Sequence, residues 1–161
     1  MKILILCHIV DVMTSAHRIL LRNAALLCEL GNDITLVFPR KMNLPKEMIC
    51  PRVKIKFGPS TLLPSLSRGG FGIMQSLYNA WLVFTGRYDL VYLFAVHRPA
   101  ALLPALTSKL CRTTVVEEWW EWFGKEGIAS LRKGIIGRMI GLYDSLLELP
   151  SKRLCDGVIL P

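Results

Sequence analysis

Short, continuously apolar runs alternate along the chain with longer stretches whose apolar residues recur every three or four positions. Lys2–Cys7 is apolar throughout after its lysine, as a strand buried on both faces must be. Thr14 or Ser15 then caps a helix carrying Ile19, Leu20, Ala24, Leu27 and Leu30 at helical spacing, and Gly31 stops it. Asp33–Phe38 returns as a second strand. Val53–Phe57 alternates Val, Lys, Ile, Lys, Phe, which puts both lysines on one face of a half-exposed edge strand. From Gly58 to Gly70, prolines, serines and glycines predict a loop. A helix follows over about Phe71–Thr85, then a strand at Asp89–Phe94 and a helix at His97–Leu110 with Pro99 in its first turn. Thr113–Glu117, rich in β-branched residues, is a fifth strand. A long amphipathic helix at Ile135–Leu154 and a strand at Gly157–Leu160 complete the pattern.

Strands alternating with helices predict an α/β fold, a doubly wound parallel sheet covered on both faces. Right-handed crossovers give six strands the order 3-2-1-4-5-6 in a single Rossmann-like domain. Leu4, Ile5, Leu36, Val91, Tyr92 and Val115 are expected at its centre. Ligands of such sheets sit beyond the carboxyl ends of the strands. The loops to examine are therefore His8–Ser15, Ala95–Arg98 and Glu117–Gly127.

Composition narrows the class. The 161 residues are 52% hydrophobic and 20% charged, enough for one domain with a real core and wrong for a disordered tail. The uncharged window Gly69–Gly86 includes Gln75, Ser76, Asn79 and four glycines, too polar for a lipid-exposed span. The opening apolar run is broken by His8 and Asp11, so a buried strand fits it better than a secretory signal. Five scattered cysteines without a CxxC pair argue against a disulfide framework and against a metal site. The expected setting is reducing and cytoplasmic. Net charge is +8, of which residues 1–80 carry +6. Such a balance serves plain solubility or favours anionic company, whether phosphates, nucleic acid or acidic lipid head groups. Leu62, Leu63, Leu66, Phe71 and Ile73 beside Arg68 mark Pro59–Tyr78 as a candidate membrane-docking edge, on the inner face of a membrane. The rival reading buries these side chains against the sheet or a second domain.

The first loop contains no glycine, which disfavours a dinucleotide-binding Rossmann site and excludes a P-loop. Asp11, Thr14, Ser15 and His17 are candidate groups for a hydroxylated ligand at the helix N-terminus; capping by Thr14 or Ser15 explains part of the same pattern. His97 stands near the mouth of strand 4, either as a packed or capping side chain or as a ligand group. The third loop places Trp119, Trp120 and Trp122 among Glu117, Glu118, Glu121 and Glu126. Aromatic planes beside carboxylates suit sugar rings, whose C–H faces stack and whose hydroxyls donate; a core plug of tryptophans is the alternative. Trp119 and Trp122 are candidate stacking residues. Glu118 and Glu121 are candidate catalytic carboxylates. The four acidic residues would repel phosphate, so nucleic acid is not an expected partner.

Lys2-Ile-Leu-Ile-Leu, Leu27-Cys-Glu-Leu-Gly31-Asn-Asp33-Ile-Thr-Leu-Val37, Tyr88-Asp89-Leu-Val-Tyr92, Pro99-Ala-Ala-Leu-Leu-Pro-Ala-Leu, Val115–Gly124 and Leu154-Cys-Asp156-Gly157-Val-Ile-Leu occur in an order and spacing that span nearly the whole chain. Together they resemble the N-terminal, acceptor-side domain of GT-B glycosyltransferases of the family 4 type. Two features depart from that pattern. Asp11–Ser15 stands where a glycine pair is usual, and the loop after strand 5 offers Glu and Trp where a histidine is common.

The resemblance implies that residues 1–161 are one half of a two-domain hexosyltransferase, with the C-terminal donor-binding domain outside this chain. It implies a nucleotide-diphosphate sugar as donor, held mainly by that other domain, and no further cofactor. The acceptor would be a sugar or a lipid-linked acceptor in polysaccharide or glycolipid biosynthesis. Partners would be a separate donor-domain chain and an anionic membrane surface. On this reading the chain alone is inactive. The alternative is a non-catalytic Rossmann-like module that binds a nucleotide or a partner protein.

Overall fold

The computed structural model describes residues 1–7, 15–39, 41, 43–44, 49–59, 73–94, 99–118 and 134–160. In chain order the described elements are β1 (Lys2–Cys7), α1 (Ser15–Glu29), β2 (Asp33–Phe38), β3 (Lys54–Phe57), α2 (Ile73–Gly86), β4 (Leu90–Phe94), α3 (Pro99–Leu110), β5 (Thr114–Glu118), α4 (Gly134–Leu154) and β6 (Gly157–Ile159). The strands form one sheet in the order β3-β2-β1-β4-β5-β6, and every neighbouring pair is parallel. This is the order expected from the alternation. Among the described residues no helix is long and apolar enough to cross a membrane. Among the described residues, which include all five cysteines, no disulfide is formed.

Continuously apolar strands arise because both faces are covered. On one face Leu20, Leu21, Ala24 and Cys28 of α1 pack on Ile3, Ile5, Leu36, Phe38, Tyr92 and Phe94. On the other, Leu82 and Val83 of α2 with Ala101 and Ala105 of α3 pack on Leu4, Leu6, Val37, Val91, Leu93 and Val115. All six residues expected at the centre of the sheet are buried. β3 is the half-exposed edge, with Lys54 and Lys56 exposed and Lys54 paired to Asp33 at 3.0 Å.

Helix faces depart from expectation more than strands do. Ile19 of α1 and Leu30 just beyond it point to solvent, because His17, Leu21 and Cys28 take the inward positions. In the first half of α2 the polar side is the buried one: Gln75, Ser76 and Asn79 lie inside, ahead of the inward Leu82 and Val83, while Met74, Leu77, Trp81 and Phe84 are exposed. Gln75 donates to Asn79 across one helical turn at 2.9 Å, and Gly58, just past β3, lets it approach. A β-carbon at Gly58 would meet the Gln75 amide at 1.8 Å. On α4, Ile135, Met139, Leu142 and Leu146 form a second outward apolar stripe. The apolar edge expected at Pro59–Tyr78 lies outside the described residues over positions 60–72.

Gly31 ends α1 with φ +85° and open space around its missing β-carbon, so its conformation alone demands glycine. Gly31→Ala is expected to lower unfolding free energy by about 1 kcal/mol in denaturant titration, through backbone strain without a clash.

Candidate functional site

At the carboxyl end of the sheet the strand termini line up in register, with Cys7 beside Phe94 and Phe94 beside Glu118. Their side chains share the face covered by α1. His17, in the first turns of α1, is fully buried with its ring 6.0 Å from that of Phe38, the last residue of β2. The structure thus gathers His17, Phe38, Cys7, Phe94 and Glu118 along one face at the end where ligands of such sheets bind. α1 begins at Ser15. Asp11, Thr14, His97, Trp119, Glu121 and Trp122 lie outside the described residues. β5 runs one residue further than expected, so Glu118 is a strand residue, only 8% exposed. α2 adds a buried polar group to the same end: the Oε1 atom of Gln75 has no hydrogen-bond partner among the described residues. Among the described residues no cluster of His, Cys, Asp or Glu could hold a metal ion.

Adjacent carboxylates on a strand face opposite ways. Glu117 therefore points to the side covered by α2, α3 and α4, where it is fully buried and ion-paired with Lys152 from the last turn of α4. The Cys155 thiol donates to Glu117 Oε2 at 3.5 Å. Burial foremost, then the Glu117 charge and that hydrogen bond, push the Cys155 thiol up to about 12. The sequence reading missed this triad. A usable signal existed, since Glu117 follows the inward-facing Val115 by two residues and so needs a cation within the core. Lys152 and Arg153, at the end of the last helix, were the available cations.

Removing one partner leaves the other charge buried, so Glu117→Gln is expected to destabilise the fold by about 3 kcal/mol. Adding Lys152→Met should recover most of that loss in thermal or denaturant unfolding. Because the folded thiol pKa is raised, Cys155 adds stability that is complete below the ordinary thiol value and lost as pH rises towards about 12. Glu117→Gln removes one raising influence, so alkylation of Cys155 in the folded protein at mildly alkaline pH should quicken.

No family model matches the chain, and no curated protein sequence does. Solved structures do. Phytolacca americana UGT2 complexed with UDP-2fluoro-glucose and pterostilbene superposes with a TM-score of 0.59 at 11% identity, over 99% of this chain and 47% of that one. The apo structure of the same plant protein gives a TM-score of 0.58 at 11% identity, over 99% and 45%. This chain thus spans about half the length of the structures it matches, and what it shares with them is the fold, an α/β sheet that in this chain has six parallel strands.

Proposed function

We propose that this chain is the N-terminal, acceptor-binding half of a GT-B glycosyltransferase of the family 4 type. The observation that carries the reading is the likeness in fold of the whole chain to about half of each matched structure, one of them holding UDP-2fluoro-glucose. Glu118 at the carboxyl end of β5 adds a carboxylate where an acceptor would lie. In this reading Trp119 and Trp122 stack on a sugar ring. Asp11, Thr14, Ser15, His17 and His97 are the further ligand-binding candidates of this reading. Glu118 or Glu121 takes the proton of the attacking hydroxyl as its oxygen bonds the anomeric carbon and the nucleotide diphosphate departs. The donor is held mainly by a second domain, in the same polypeptide or another. The acceptor is a glycan or a lipid-linked sugar, met at the cytoplasmic face of a membrane.

Purified chain supplied with UDP-glucose alone is expected to release no UDP. Complemented with a donor-binding domain and an acceptor, it should support transfer, and Glu118→Gln or Glu121→Gln should lower the rate about a hundredfold, as loss of a general base does. Turnover by these residues alone, or full complemented transfer in both variants, would contradict the assignment. Tight nucleotide binding by the isolated chain without transfer would favour the non-catalytic module instead.

A further inference from the structure

At the amino edge of the sheet, opposite the candidate site, a groove of about 500 Å³ opens between the C-terminal ends of α2 and α3. Phe84, Arg87, Asp89, Cys111 and Arg112 help to line it. Arg87 and Arg112 each stand just beyond a helix, and both have left-handed backbone, with φ of 48° and 55°. No other non-glycine residue among those described does. Glycine is the ordinary occupant of that position, because a β-carbon is strained there. A cation near a helix C-terminus interacts well with the dipole. Any lysine or arginine in the last turn would serve that purpose without the strain. The Asp89 carboxylate already accepts the Lys2 backbone N–H at 2.7 Å. Neither guanidinium has an ion pair among the described residues.

The surface leading to this groove is apolar. α2 contains no charged residue, and Lys109 is the one charge in α3. Met74, Leu77, Trp81 and Phe84 are exposed along α2, and Leu106 and Leu110 along the adjoining α3. Phe84, 69% exposed, belongs both to this stripe and to the groove. An uncharged, aromatic-bearing face ending in two unpaired guanidiniums matches a lipid interface in depth: apolar side chains meet the acyl boundary and arginines meet phosphates.

We propose that the outer face of α2 and α3 docks on an anionic lipid bilayer, with the groove between Arg87 and Arg112 holding a headgroup phosphate. Paired guanidiniums suit phosphate oxygens better than a single point charge does. A second copy of the chain is a poorer occupant, because it brings another +8 and would set these arginines against their own kind. The proposal stands on the described helices alone and does not rest on the glycosyltransferase reading.

The test is flotation of the full chain with vesicles of phosphatidylcholine alone, or of phosphatidylcholine and phosphatidylglycerol in equal parts. The chain should bind the anionic vesicles and protect exposed Cys111 from maleimide there. Arg87→Gly with Arg112→Gly should cut partitioning about thirtyfold, roughly fivefold for each basic side chain at the surface. The melting temperature should not fall, because glycine fits the left-handed positions. Trp81→Gln with Phe84→Gln, at exposed sites, should also weaken binding to the anionic vesicles. Equal binding to both vesicle types, undiminished binding after the arginine substitutions, or a stable dimer that ignores vesicles would overturn the proposal. So would soluble glycerol phosphate displacing the chain from vesicles at the same phosphate concentration, since a free phosphate ester would then suffice.

Discussion

A parallel sheet receives each strand from a crossover, so no tight turn fixes where one strand starts against the next. Here aspartates at the amino edge supply that constraint. The backbone N–H of Asp33 donates to Met1, that of Asp89 to Lys2 and that of Asp156 to Val115, at 2.8–2.9 Å. Two of the carboxylates answer in kind: Asp89 accepts the Lys2 N–H at 2.7 Å and Asp156 the Val115 N–H at 2.8 Å. Lys109 beside Asp156, with that N–H, holds its carboxyl below the usual carboxylate range. These three aspartates lie within the segments that carry the sequence resemblance. Their work is register, which is why the resemblance speaks first to fold.

Register in turn decides which side chains reach the carboxyl end and on which face. A slip of one residue in β5 would exchange the two glutamates, because side chains alternate strictly along a strand. Glu117 would leave Lys152 and Cys155, and Glu118 would lose its place beside Phe94 on the face shared with His17. The buried pair and the candidate site are thus two outcomes of one alignment. The Glu117–Lys152 pair also ties the last turn of α4 to β5, just where the chain enters β6.

Strand positions were readable because a strand buried on both faces leaves a plain apolar run, and β1, β2 and β4 are such runs. Helix faces were less readable. Periodicity reveals a stripe but does not say which side meets the sheet. In α2 the larger apolar side chains lie outside, while Gln75 and Asn79 satisfy part of each other's polarity inside and Ser76 takes little room. Glu117 was legible as inward-facing, but its cation comes from 35 residues further along the chain, a pairing that local pattern does not encode. Of the candidate site, His17 falls on the helix that the alternation predicted, whereas Glu118, expected in the loop after strand 5, is the last residue of that strand, at the same end of the sheet.

The central claim is that the proposed sugar-binding chemistry belongs to the carboxyl end of the sheet, while the aspartates at the amino edge set register. Backbone amide chemical shifts, followed by NMR as mono- and disaccharides are added to the full chain, test it most directly. The account predicts movement at Cys7, Phe94 and Glu118, with Lys2, Asp33, Asp89 and Asp156 unchanged. Shifts gathered at those four residues, with the carboxyl end still, would contradict it.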